Sequence, residues 1–379
     1  MKLLSQPVKE HAYELGFDLC GVAPAGRAPH ADAYASWVDA GCAAEMGYMV
    51  RDVARRQDPR LVLPGVRSVV VVGLSYFTAS PPPCDDRGLP PRDVWDDPAR
   101  GRIARYAWGA DYHEAMLPRL QQLAQFIRTL AGHEVQQRAY VDTGPLLERD
   151  VAARAGLGFI GRNTCLISPA WGSFLFLGEI LLDVELEYDE PERLPLAPQT
   201  ARDFAKSPHG ARHYAGDCRG TCGACTRCLA ACPTGALVAP YVLDSRRCIS
   251  YLTIELKGSI PVELRPRLGN RIFGCDACQS VCPWPRRFAH AGRQGFLRFE
   301  ADRCAPRLVE LMGLDEAQFR ARFKGTPLLR AKRRGLLRNV AVALANWGDA
   351  TAVPALRAAA QDADPLVREH AAWALARFR

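Results

Sequence analysis

The sequence predicts an α/β N-terminal domain, a ferredoxin-like domain built around cysteines, and an all-α C-terminal region of HEAT-like repeats. Three observations carry this prediction. A continuous β-branched run, "SVVVVGLSYF" (Ser68–Phe77), precedes a stretch with helical spacing. Eight of the fourteen cysteines fall between Cys222 and Cys282. From Leu328 onward nearly every residue favours helix, and the segment resembles itself at an offset of 30 residues, with Arg338 falling on Arg368 and Ala341 on Ala371.

Residues 1–195 read as the α/β domain. The Ser68–Phe77 run is the pattern of a strand buried on both faces. "MLPRLQQLAQFIRTLAG" (Met116–Gly132) has the apolar spacing of a helix and a glycine where it should stop. "RAYVDTGPLLERDVAARAGLG" reads as a short strand, a Gly-Pro turn and a helix. "FLFLGEILLDVELE" reads as further strand. The Pro- and Asp-rich stretch "TASPPPCDDRGLPPRDVWDDPARGR" is expected to be an exposed loop. "YDEPERLPLAPQTARDFAKSPHG" is a polar connector into the second domain, placed at 196–290. The helical region takes 291–379, and two repeat units are few enough to need packing against the preceding domain.

Composition narrows the class. An apolar share of 48% is that of a globular protein. No apolar run is long enough to span a bilayer. "MKLLSQPVKEHAYELGF" has charges and a proline where a secretory signal would be apolar, so a cytoplasmic location and no membrane partner are expected. In a reducing compartment, clustered cysteines point to metal and not to disulfides. The six scattered ones (Cys20, Cys42, Cys84, Cys165, Cys218, Cys304) read as small buried apolar residues.

The clustered cysteines have a definite grammar. Cys222, Cys225, Cys228 and Cys232 form C-x2-C-x2-C-x3-C-P; Cys275, Cys278 and Cys282 form C-x2-C-x3-C-P. A [4Fe–4S] cube needs four thiolates, and in two-cluster ferredoxins the cysteine before proline crosses to the other cluster. One cluster therefore takes Cys222, Cys225, Cys228 and Cys282. The other takes Cys232, Cys275, Cys278 and one more, for which Cys248 is the candidate, displaced by a 26-residue insertion. Paired CxxC also builds zinc sites, but two Cys-Pro endings are poor zinc spacing. Two such clusters pass single electrons and do no organic chemistry, so another cofactor or partner must receive them.

Charge is concentrated at one end. Residues 320–379 hold twelve Lys/Arg against four Asp/Glu, which equals the whole chain's net charge of +8. Lys332, Arg333, Arg334 and Arg338 lie within two helical turns and could present several charges on one face, as a polyanion would require. The plainer reading is a solvated helix surface.

"RRCISYLTIELKGSIPVELRPRLGNRIFGCDACQSVCPW" (Arg246–Trp284) and "YVDTGPLLERDVAARAGLGFIGRNTCLI" (Tyr140–Ile167) resemble the epoxyqueuosine reductase (QueG) family. So do "DPRLVLPGVRSVVVVGLSY", "ARYAWGADYH" and the helical tail, in order along the chain. The resemblance implies a cobalamin in the N-terminal domain, bound with its lower base detached, and the absence of "DxHxxG" agrees with that. It implies reduction of an epoxide to an alkene at the wobble position of tRNA, relatedness to reductive dehalogenases, and a tRNA anticodon stem-loop as partner. An external low-potential electron donor and a monomeric chain are also expected.

Asp142, in the "VDTGP" turn, is by this resemblance the proton donor; beside an apolar corrin its carboxyl would retain a proton. The alternative is that it caps the next helix or organises the turn. Thr143 belongs to the same turn. Arg105, Tyr106 and His113 could line the cobalamin or substrate pocket, as could Arg60. His113 has the plainer reading of a hydrogen-bonded helix residue. Gly158, Gly161, Arg162, Asn163 and Thr164 form a loop whose glycines would let backbone approach a corrin. Lys257 could touch cobalamin or RNA, or be an exposed loop lysine. Two other functions remain at this point: a cobalamin reductase for a small molecule, and a non-catalytic ferredoxin-type carrier or RNA scaffold. The basic tail argues against the first, and Asp142 with its large domain against the second.

Overall fold

The computed structural model describes residues 3–77, 92–189, 222–292 and 301–378. The Pro/Asp-rich loop, the connector, Cys84 and Cys218 fall largely or wholly outside them.

Four strands, β1 (Leu19–Pro24), β2 (Ser68–Ser75), β3 (Gln137–Tyr140) and β4 (Leu175–Leu182), form one sheet in the order β1-β2-β4-β3. Every pairing is antiparallel. All eight residues of β2 are buried because helices cover both faces. Alternation assigns the faces. Val70, Val72 and Leu74 join helices α1 (Gln6–Glu14) and α2 (Tyr112–Ala131) in one core. Val69 and Val71 meet helix α3 (Glu148–Arg154) in another. Helix α2 starts where the Asp111 carboxylate accepts the His113 N–H and stops at Gly132, whose φ of 69° is left-handed.

A parallel pairing of Arg271–Phe273 with Arg102–Ile103 ties the cysteine region to the N-terminal domain. The C-terminal helices α4 (Lys332–Trp347), α5 (Val353–Ala359) and α6 (Pro365–Leu375) pack onto that junction: Ile103, Trp108, Ile272 and Phe273 share a core with Leu336, Leu344 and Ala371. The two repeat units thus lean on the preceding domain. The repeat itself holds at Ala341 and Ala371, both fully buried. It fails at the paired arginines, since Arg338 is buried while Arg368 is exposed and donates to the Asp362 and Ala363 carbonyls. Among the described residues no helix is long and apolar enough to cross a membrane.

Candidate active site and iron–sulfur centres

The eight clustered thiols sort into two groups. Cys222, Cys225, Cys228 and Cys282 line one cavity with Arg162, Asn163, Ile167 and Trp284. Burial pushes the Cys282 thiol up to about 12, and the charges of Cys222, Cys225 and Cys228 add to the rise. In the second group, Cys248 feels Cys232, Cys275 feels Cys248, and Cys278 feels both Cys275 and Cys248. Burial lifts Cys275 to about 11. Thiols raised this far are neutral at pH 7 alone, and bound iron supplies the positive charge that makes them thiolates. Burial opposes the Cys232 thiolate too, but N–H groups of Leu237, Ala236 and Thr234 outweigh it and lower the thiol. Among the described residues no three His, Cys, Asp or Glu side chains converge on a single-ion site. The first group surrounds a cavity, as cube ligands must. Cys248→Ser is expected to cut iron from about eight to about four per chain, measured on anaerobically purified protein; unchanged iron would remove Cys248 from the ligand set.

The loop after α3 belongs to the first group. The Arg162 N–H donates to Cys222 Sγ at 3.3 Å and its guanidinium to the Cys225 carbonyl at 3.2 Å. Asn163 is buried, with Nδ2 unpartnered at the cavity. The glycines have a reason within the hairpin itself. A Cβ on Gly158 would meet the Ile167 carbonyl oxygen at 2.3 Å, and one on Gly161 would meet Ile167 Cδ1 at 2.4 Å. The chain's own hairpin demands both, without reference to a corrin. Thr164 accepts from the Arg149 guanidinium through both its carbonyl and its hydroxyl. Of the scattered cysteines, Cys20, Cys42 and Cys304 are buried, while Cys165 lies against Cys278 and hydrogen-bonds to it.

Asp142 sits elsewhere, exposed on the turn after β3 with φ of 53°. Aspartate tolerates this left-handed conformation better than most residues, at a cost of about 1–3 kcal/mol. Its Oδ2 accepts the Tyr112 hydroxyl at 2.6 Å. Tyr112 is clamped between Phe176 and His113, with ring centroids at 4.2 and 4.1 Å. His113 is turned back to Asp111, Nδ1 to Oδ1 2.7 Å, which makes it a buttress for Tyr112. Tyr48, Tyr106 and Arg330 lie near enough to Asp142 to feel its charge. Arg330 pairs with Glu255 at 2.6 Å and lies over the Tyr48 ring. Lys257 is beside them; partial burial lowers its ammonium, and Glu255 opposes that. Thr143 is exposed on the Asp142 turn. Arg60 is exposed and bound to Asp58.

The second thiol group adjoins this cleft. Tyr106 packs on Phe273, and a Cβ on Gly274, the residue before Cys275, would lie 3.5 Å from the Tyr106 ring. Arg105 does not line the cleft as expected. Its guanidinium is enclosed by Phe77, Trp108 and Phe174 at 4.8, 5.0 and 4.7 Å, and its N–H donates to Asp276 beside Cys275. Gln279 adds bonds to Ser173 and Tyr76. These contacts fix the cluster loop to the α/β domain.

The basic helix departs further from expectation. Lys332 and Arg334 are exposed, but Arg333 is half-buried and paired with Asp362 at 2.5 Å. Arg338 is corrected outright: it is 1% exposed and donates to the carbonyls of Leu252, Leu256 and Gly258. It cannot reach an RNA phosphate. Sequence reasoning missed Tyr48, Tyr112, Glu148, Glu179, Glu255 and Arg330. For Glu179 a signal existed, a single carboxylate inside an eight-residue apolar strand.

Fold and site together define an oxidoreductase with a two-[4Fe–4S] domain docked beside a separate acid-bearing cleft. The family profile "4Fe-4S double cluster binding domain" matches residues 221–285, "Epoxyqueuosine reductase QueG, DUF1730" matches 56–143, and "HEAT repeats" matches 326–379. An epoxyqueuosine reductase of Pseudomonas aeruginosa is 40% identical over 99% of this chain and 94% of its own. That of Escherichia coli is 36% identical over 98% and 89%. A crystal structure of epoxyqueuosine reductase with an epoxyqueuosine-modified tRNA-Tyr stem loop superposes with a TM-score of 0.82 at 30% identity, covering 99% of this chain and 90% of that one. The chain belongs to the epoxyqueuosine reductase family.

Proposed function

We propose that this chain reduces epoxyqueuosine to queuosine at the wobble position of tRNA, with electrons arriving through the two clusters and Asp142 giving a proton to the departing oxygen. The observation that carries this reading is the exposed Asp142 turn in a cleft whose Tyr106 wall abuts the segment entering Cys275. Electrons from an external low-potential donor would enter at the Cys222 group and leave from the Cys275 group. The overall change consumes two electrons and two protons and releases water. The structure of a relative, epoxyqueuosine reductase from Bacillus subtilis, has an aspartate-bearing catalytic loop swung out of the active site, which agrees with a working acid carried on a turn.

The residues around Asp142 are of a kind that would hold a cobalamin. Tyr48 and Tyr106 offer apolar ring faces, while Lys257, Arg330 and the exposed Thr143 offer donors to the carbonyls of a corrin's side chains. Base-off cobalamin would supply a strongly reducing metal centre, and the chain's part is orientation and protons. Anaerobic turnover with epoxyqueuosine-containing tRNA tests the whole reading. Queuosine should form only with corrin bound and both clusters intact; product in corrin-free enzyme would overturn the cobalamin assignment.

tRNA is held in part by phosphate contacts from Lys332 and Arg334, which position RNA without reading it. Neutralising both should reduce the slope of log K against log salt by about one to two units. The same change at Arg368, already engaged with two carbonyls, should leave the slope unaltered.

A further inference from the structure

The turn of one hairpin forms a wall of the first thiol group's cavity. Its arms, Phe159–Ile160 and Leu166–Ile167, pair in antiparallel register. Two bonds close the turn: the Gly161 N–H donates to the Cys165 carbonyl at 2.9 Å, and the Thr164 N–H to the Gly161 carbonyl at 2.8 Å. Asn163 is carried on this frame, and its side chain is held as well. Oδ1 accepts the Cys165 N–H at 3.3 Å, which assigns the two ends of the amide. A Cβ at position 161 would lie 2.8 Å from that oxygen, so glycine leaves the amide its place. Nδ2 has no hydrogen-bond partner, although Asn163 is only 4% exposed and lines the cavity with Cys222, Cys225, Cys228 and Cys282. A buried amide donor left unmade is costly, so it requires an acceptor within the cavity. Arg162 stands beside it. Its N–H donates to Cys222 Sγ at 3.3 Å, its guanidinium reaches the Cys225 carbonyl at 3.2 Å, and its Nε is buried without a partner. The acceptors that a [4Fe–4S] cube offers are its sulfurs, and hydrogen bonds to them help set its potential.

We propose that Asn163 Nδ2 donates a hydrogen bond to a sulfur of the cluster held by Cys222, Cys225, Cys228 and Cys282, and that with Arg162 it raises that cluster's reduction potential. The role rests on those four thiols forming one ligand set. Reduction adds negative charge to the sulfurs, so a donor aimed at them binds the reduced form more strongly. The bond therefore eases entry of the external donor's electron. Asn163 serves the first cluster and not a corrin.

The test is an EPR-monitored redox titration of the full chain, purified anaerobically, wild type against Asn163→Leu, with iron counted in both. Leucine is of similar size and has no donor. Both proteins should hold about eight iron per chain. One of the two cluster midpoints in Asn163→Leu should fall by about 59 mV, a tenfold change in a one-electron equilibrium, while the other holds. Unmoved midpoints with iron intact, or equal shifts in both, would overturn the proposal. A wild-type chain with a single cluster would instead overturn the ligand set on which it rests. A second measurement needs no variant, and decides the matter if Asn163→Leu fails to fold or to keep its iron. Pulsed EPR of the reduced wild type carrying 15N-amide asparagine should show a nitrogen coupling to one cluster, and no coupling would overturn the proposal.

Discussion

Asp142→Asn lowers kcat for epoxyqueuosine reduction by about a hundred- to ten-thousandfold, the usual contribution of a positioned general acid, while iron content and Tm stay at wild-type values. Asparagine suits the test. It tolerates the left-handed backbone at φ 53°, and its amide oxygen still accepts the Tyr112 hydroxyl. Shape and turn survive, and only the proton is removed. Single-turnover kinetics with pre-reduced enzyme isolate the step from electron supply. If the Asp142→Asn enzyme formed queuosine at the wild-type rate, the acid would have to be sought elsewhere in the cleft, with Tyr48 and Lys257 the next groups to examine.

What could be read from the chain divides along a physical line. Local patterns carried the elements: β2 is buried throughout, α2 ends at a glycine, and the clustered cysteines fall with four thiols on one cavity and the other three beside Cys248. These depend on residues close in sequence. The surroundings of Asp142 do not. Tyr112 comes from α2, Glu179 from the strand register Tyr140↔Glu179, and Arg330 from the C-terminal region. A turn motif singles out Asp142, but the residues around it converge only through the sheet and the docked helices. The same limit explains the basic helix. Charge counting located four cations near its start, but burial decides which face water, and the apolar stretch around Arg338 and Asn339 ("LLRNVAVALAN") already hinted that these two turn inward.

Arg338→Ala should therefore act on stability and not on RNA affinity, by about 3–5 kcal/mol. The segment between Cys248 and Cys275 has only short regular pieces: a π-helical turn at Tyr251–Glu255, a 3-10 turn at Arg265–Leu268 and the strand Arg271–Phe273. Its carbonyls need outside donors. Arg338 supplies Leu252 at 2.6 Å, Leu256 at 2.8 Å and Gly258 at 2.7 Å, and Asn339 supplies Thr253 and Ile272, both at 2.8 Å. Burial lowers the guanidinium to about 10, so it is still charged at neutral pH, and the carbonyl dipoles offset its desolvation. Alanine leaves those oxygens unsatisfied around a cavity, which costs more than the bonds alone contribute. Because the segment is anchored by Cys248 and Cys275, its loosening should reach the second cluster first. Thermal melts of the variant should show a lowered Tm with iron lost in steps, the second group's before the first's. Arg334→Ala, at an exposed position on the same helix, should shift stability by no more than about 0.5 kcal/mol. A variant at 338 with unchanged Tm and weakened tRNA binding would return this arginine to the RNA surface, and with it the reading of the helix as a continuous charged face.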